Sequence, residues 1–334
     1  FMGILVMYPG PSRVKKAISF ETLENVTFMK ILVATEKPFA KAAVDGIREI
    51  VEGAGYELAL LEKYADKAEL LAAVADADGL IVRSDKVTRE VIDAARNLKI
   101  VVRAGAGYDN VDLAACTERG IVVMNTPGQN SNAVAELVVS MMIFISRNQF
   151  TPGTGAEVSG KRLGIHAYGN VGRIVARYGR ALGMSVKAFD PFVDPRQLEA
   201  DGVEAVGTVE ELYASSDYVS LHIPATAQTR GSIGYELLSS MPKGGVLINT
   251  ARKEVIDEQG LIRAFEERAD LKYITDIAAE AQPLLTEKFG KRVFATPKKM
   301  GAETAEANLN AGLAAARQTV DFLKNGNRRF QVNK

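Results

Sequence analysis

The chain has 334 residues, 47% of them hydrophobic and 25% charged, with 41 Lys plus Arg against 41 Asp plus Glu. That balance argues against a nucleic-acid partner or a membrane role, and the longest apolar run, 134–146, carries Glu136 and is too short to span a bilayer. The one cysteine, Cys116, excludes an intramolecular disulfide and fits a reducing, cytoplasmic setting.

Residues 1–28 have neither the basic n-region nor the small-residue cleavage site of a signal peptide, and read as an N-terminal extension outside the fold. From Lys30 the aliphatic runs ILVAT (31–35), ELALL (57–61), LIVRS (80–84), IVVRA (100–104) and IVVMN (121–125) alternate with helices expected near 40–52, 67–76, 88–96 and 111–118. Such alternation predicts a parallel sheet. Thr126-Pro127-Gly128 reads as a hinge. A helix near 132–147 carries Val134, Leu137, Val138, Met141, Met142, Ile143 and Phe144 on more than one face. It needs two apolar partners, its own domain and a second copy of the chain, so a homodimer is expected. After a glycine-rich loop, 151–160, a second set of strands follows: 163–167, 185–189, 217–223, 244–250, 273–277 and 292–296. A last helix near 303–324 is placed to return to the first domain. The fold class is therefore α/β, with two doubly wound parallel-sheet domains.

The densest signal lies at 163–190, LGIHAYGNVGRIVARYGRALGMSVKAFD. A short strand leads into a turn with Gly169 and Gly172, then a helix, then a second strand ending on Asp190. Gly169 lets backbone approach a pyrophosphate, Gly172 lets helix and strand pack closely, and the helix N-terminus offers N–H groups to phosphate. Asp190 accepts ribose hydroxyls and repels a 2′-phosphate, which predicts NAD over NADP. Ala167 stands where the first glycine of G-x-G-x-x-G belongs. Of the two histidines, His166 reads as a core residue.

Several blocks at strand ends resemble the D-isomer-specific 2-hydroxyacid dehydrogenases: SLHIPATAQTRGSIG, LINTARKEVIDEQGL and ATPKKMGAETAEAN in the second half, and VRSDKVT, VRAGAGYDNVD and VVMNTPGQNSNAVAE in the first. The resemblance covers about residues 29–334. It implies a flavodoxin-like substrate-binding domain, 29–126 and 303–334, around an inserted Rossmann NAD-binding domain, 127–302. It also implies a role for each matched residue. Arg252 would grip a substrate carboxylate in two points, with the backbone of Gly105 and Gly107 as further donors. Arg83, Ser84 and Arg103 would contact a substrate phosphate. Tyr168, Gly169, Asn170 and Val171 would lie along the pyrophosphate, His222 and Pro224 would border the adenosine, and Thr250 and Asp276 would reach the nicotinamide, Asp276 through the carboxamide. No metal site is implied.

Two departures stand out. The family's histidine before G-A-x-T is replaced by lysine, and the block is one residue longer than usual. Aligned from the right, Lys299 takes that place and is the expected proton-transfer residue; aligned from the left, Lys298 does. Glu280, the counterpart of the family's glutamate, is one residue too near Asp276. The resemblance is to a short, lysine-bearing branch without a C-terminal regulatory domain, which oxidises D-3-phosphoglycerate to 3-phosphohydroxypyruvate on the way to serine. The alternatives are a reductase of glyoxylate, hydroxypyruvate or another 2-keto acid, or a non-catalytic NAD(H)-sensing binding protein.

Overall fold

The structure, a computed structural model, describes residues 29–334; the expectation for 1–28 lies outside them. The first five strands, β1 (Lys30–Thr35), β2 (Glu57–Glu62), β3 (Gly79–Val82), β4 (Ile100–Arg103) and β5 (Val122–Asn125), form an all-parallel sheet in the order β2-β1-β3-β4-β5. β1 and β3 are almost wholly apolar because both their faces are covered. α2 (Lys67–Val74), α3 (Arg89–Ala94) and α4 (Leu113–Glu118) cover one face, around Leu80, Val82 and Val101. α1 (Lys41–Gly53) and the last helix, α12 (Ala305–Asn325), cover the other, where Ile47 and Val51 meet Ala311, Ala315 and Ala316 above Ile81 and Val102. Beyond α12, Val332 N–H donates to Val123 O at 2.9 Å and Val123 N–H to Asn333 Oδ1 at 2.7 Å, so the end of the described chain closes the open edge of β5.

The second sheet has seven parallel strands: β6 (Arg162–His166), β7 (Ser185–Phe189), β8 (Glu204–Ala205), β9 (Tyr218–Leu221), β10 (Val246–Asn249), β11 (Lys272–Thr275) and β12 (Val293–Ala295). Their order is β12-β11-β10-β9-β6-β7-β8, so the winding reverses between β6 and β9. Outside the carboxyl ends of those two strands an open α/β sheet forms a crevice. α5 (Ser131–Ser146) and α6 (Asn170–Ala181) pack on one face through Val138, Met142 and Val175.

Every expected strand is present, and β8 is an additional one of two residues. The sequence reading did not name α7 (Pro195–Ala200), α8 (Val209–Ala214), α9 (Tyr235–Ser240), α10 (Glu258–Glu267) or α11 (Gln282–Phe289). These helices are short, of six to ten residues. The legible signals were N-cap side chains: Asp194, Thr208 and Asp257 each accept a first-turn N–H. Cys116 is buried and its thiol is pushed up to about 12, chiefly by burial, so it is packing and not a nucleophile.

Candidate active site

At the carboxyl edge of the first sheet a buried acid organises the loops. Asp85 accepts Glu36 N–H at 2.7 Å and the Tyr64 hydroxyl at 2.9 Å. Burial, then this hydrogen bond, raises the Tyr64 phenol, which keeps it a donor. Asn110 Nδ2 donates to Arg83 O and Asp85 O, joining the loops after β3 and β4. Ser84 is exposed. Arg83 differs from expectation. Its guanidinium donates to Lys37 O at 3.1 Å, Pro38 O at 3.3 Å and Asn308 Oδ1 of α12, with Phe39 beneath it. It ties α12 to the sheet edge and is not a free cation.

Arg103 is half-buried beside Arg83. Its Nε donates to Arg83 O at 2.9 Å, and its guanidinium folds back over Gly105, with no ion pair among the described residues. Burial first, then the nearby Arg83, holds its pKa below the usual arginine range. Arg252 follows β10 in a turn stapled by Asn249, which sequence reasoning missed. Asn249 Oδ1 accepts Ala251 N–H at 3.0 Å and its Nδ2 donates to Arg252 O at 3.0 Å. The signal was present, since Asn two residues before a loop N–H is an Asx-turn pattern. A Cβ on Gly107 would stand 3.1 Å from Arg252 Nη2, so Gly107 and Arg252 meet across the cleft, while Gly105 lies against Arg103. Asp109, 89% exposed, is the acid nearest Arg252, at 3.9 Å.

Lys299 opens into the same cleft. Loss of solvent around its ammonium, then the charge of Arg252, lowers its pKa, and Arg103 adds to this; Asp276 and Asp109 oppose it. Lys299 is exposed, with its ammonium near enough to Arg252 and Arg103 for their charges to act on it. Glu280 is elsewhere: it pairs with Lys253 at 3.0 Å and is 83% exposed. It does not partner Lys299. Asp276 also departs from expectation, because its carboxylate is taken by the loop 296–301 instead of standing free for a carboxamide.

The crevice of the second sheet has the parts a dinucleotide needs. Gly169 and Asn170 are exposed, Val171 is half-buried, and α6 begins at Asn170 with no side-chain cap, so its first N–H groups lack intrahelical acceptors. Tyr168 is not part of that edge. Its N–H donates to Asp190 Oδ2 at 2.8 Å, its ring is buried, and its hydroxyl donates to Asp201 at 2.9 Å. Asp190 also accepts Phe192 N–H at 2.9 Å, one bond on each oxygen, leaving lone pairs for hydroxyls. His222 Nε2 and Thr250 Oγ1 are buried without a partner at the ends of β9 and β10. Orphaned buried polar atoms beside an uncapped helix N-terminus fit a polar ligand that supplies the missing bonds. Burial, with His166 nearby, pushes His222 down to about 3; burial alone pushes His166 to about 4, against the opposing charge of Asp190. Both are neutral, so neither is a proton carrier near neutrality. Pro224 is exposed beside them, its carbonyl accepting from the Thr229 hydroxyl.

Among the described residues no cluster of three metal-ligating side chains is present, and no helix is long and apolar enough to cross a membrane.

The D-isomer specific 2-hydroxyacid dehydrogenase catalytic-domain model matches residues 32–333. A D-3-phosphoglycerate dehydrogenase of Methanocaldococcus jannaschii is 38% identical over 276 residues, 77% of this chain and 52% of that protein. A hydroxypyruvate reductase of Thermotoga maritima is 36% identical over 278 residues, 77% of this chain and 88% of that protein. The chain thus spans about half the length of the curated phosphoglycerate dehydrogenases it matches. The crystal structure of an NAD+-bound 3-phosphoglycerate dehydrogenase of Entamoeba histolytica superposes with a TM-score of 0.83 at 52% identity, covering 92% of this chain and 99% of that one. With the paired parallel sheets, the reversed winding and Arg252 set against the 105–107 turn, these matches place the chain in the D-isomer-specific 2-hydroxyacid dehydrogenase family.

Proposed function

We propose that this chain oxidises D-3-phosphoglycerate to 3-phosphohydroxypyruvate with NAD, as a cytoplasmic homodimer. One observation carries the reading: Arg103, Arg252 and Lys299 converge on one cleft, and Asp109 is the acid facing them that is not already hydrogen-bonded. Such an excess of positive charge suits a ligand with two anionic groups, a carboxylate for the Arg252 fork and the 105–107 backbone, and a phosphate for Arg103. Likeness to the NAD+-bound Entamoeba enzyme supports both cofactor and substrate. Gly169, Asn170, Val171, Asp190, His222 and Thr250 would hold the dinucleotide, whose nicotinamide, when bound, supplies the acceptor for the hydride from substrate C2. Arg252 orients the carbon to be oxidised, and Lys299 takes the hydroxyl proton.

A base must be unprotonated to act, so turnover rises with pH through the pKa of Lys299, which its surroundings hold below the ordinary lysine value. Dimerisation is supported by the half-buried second face of α5, Ile143 and Phe144, and by Phe150, 70% exposed beside Phe144. The occupied guanidinium of Arg83 and the Thermotoga relative favour a second reading, reduction of an unphosphorylated 2-keto acid such as hydroxypyruvate. Assays of NADH formation with D-3-phosphoglycerate, D-glycerate and D-lactate, and of NADH consumption with hydroxypyruvate, separate the two. The first reading expects D-3-phosphoglycerate to be favoured and NADP to be poorly used; tight NAD binding with no turnover would leave a sensing protein.

A further inference from the structure

Asp276 is a buried acid at 1% exposure, with no ion pair among the described residues. Its partners all belong to one loop. Oδ1 accepts the Thr296 hydroxyl at 2.9 Å and Met300 N–H at 2.9 Å, and Oδ2 accepts Gly301 N–H at 2.8 Å. Both ends of the segment 296–301 therefore close on a single carboxylate. Gly301 is held tightly as well. A Cβ there would lie 3.0 Å from Asp276 Oδ2, 3.4 Å from Val134 and 3.6 Å from Leu137 of α5. Part of the second apolar face of α5 thus backs this loop. Between the anchors lie only Pro297, Lys298 and Lys299, the stretch that holds the extra residue of this block. With both ends fixed, that residue cannot be absorbed by sliding; it must be accommodated between them, and this decides which lysine reaches the cleft.

We infer that Asp276 is a positioning residue for Lys299: by gripping Thr296, Met300 and Gly301 it sets the register of the lysine loop so that Lys299, and not Lys298, faces Arg252. The charged groups that act on Lys299 are Arg252 and Arg103 on one side and Asp276 and Asp109 on the other. Asp276 is therefore also the buried negative charge that partly offsets the two arginines. The inference rests on the proton-transfer reading of Lys299, and its test keeps the two apart.

The lysines of the full chain are reductively methylated with 13C-formaldehyde, and the Lys299 signal, identified by its loss in Lys299→Ala, is titrated by NMR. In Asp276→Asn, which keeps one acceptor oxygen and removes the charge, the Lys299 midpoint moves to lower pH. The pH profile of turnover moves with it, and kcat falls about tenfold to a hundredfold from misplacement of the base, with NAD affinity unchanged. An unmoved Lys299 midpoint overturns the inference. If Lys299→Ala turned over at a near-native rate, the proton-transfer reading would fail, yet the NMR midpoint would still decide the role of Asp276. Should Asp276→Asn fail to fold, Thr296→Val decides: it removes one anchor and keeps the charge, so kcat falls several-fold with the Lys299 midpoint in place, and an unchanged kcat refutes the clamp.

Discussion

The turn after β4 and the turn after β6 both sit at the carboxyl edge of a parallel sheet, and they use glycine differently. In the first, Gly105 adopts φ +153°, and the Arg103 guanidinium lies where a side chain would stand; a Cβ would come 1.6 Å from Nη1. In the second, Ala167 holds φ +80°, a left-handed conformation unfavourable by about 1–2 kcal/mol for a residue with a Cβ. Gly172, five residues on, cannot be spared: its Cβ would stand 2.3 Å from the Ala167 carbonyl oxygen. A residue with a Cβ is held at a left-handed angle at 167, whereas at 105 and 172 there is no room for a Cβ. The first turn is emptied for a cation, the second for backbone.

Substitutions can break that contrast in order of size. The largest effect is expected from Lys299→Ala, which should lower turnover about a hundredfold or more while leaving NAD affinity as it was; stopped-flow rates and calorimetric NAD binding would show whether the two turns act independently. Gly172→Ala comes next. Overpacking against a backbone carbonyl should destabilise the fold by about 1–3 kcal/mol, and because the carbonyl belongs to the turn before α6, NAD binding should weaken too; thermal unfolding with and without NAD reads both. Gly105→Ala should displace the Arg103 guanidinium, raising KM for a phosphorylated substrate about tenfold, the worth of one charged hydrogen bond, with kcat and NAD affinity nearly unchanged. An equal rise for D-glycerate would mean that Arg103 does not meet the phosphate. The smallest change is Ala167→Gly. Relief of the left-handed strain exceeds the added unfolded-state entropy of about 0.4–1 kcal/mol, so the melting temperature should rise slightly; a fall would show that Ala167 is not strained.

Strands and their order of appearance were legible because each is a short aliphatic run covered on both faces, and the helix of 170–181 because its apolar period is clear and its start follows the glycine turn. The positions of Arg252 and Asp190 just beyond the ends of β10 and β7 were legible too, because each follows an aliphatic run. What failed was the destination of long or doubly capable side chains. Arg83 could reach either the cleft or α12, and the sequence separation of 225 residues to Asn308 hides the second option. Tyr168 offered an N–H to a phosphate, but Asp190 already held it. The carboxylate of Asp276 had several donors within reach, and which it chose depends on the path of a loop with one residue too many. Asn249, Asn110 and Asp85 were missed because they bind only backbone and neighbouring hydroxyls, which leaves no charge pattern to notice.

The packing of α12 against α1 also sets an order of events during synthesis. The five strands of the first sheet leave the ribosome early, but one of their faces is only partly covered by α1 until Ala311, Ala315 and Ala316 arrive at the far end of the chain. The edge of β5 likewise waits for Val332 and Asn333. The whole seven-stranded sheet is made in between and can fold first, from contiguous sequence. The earlier-translated sheet therefore matures last, and exposes apolar surface for as long as the later one takes to be made, a window in which aggregation or chaperone capture competes with folding.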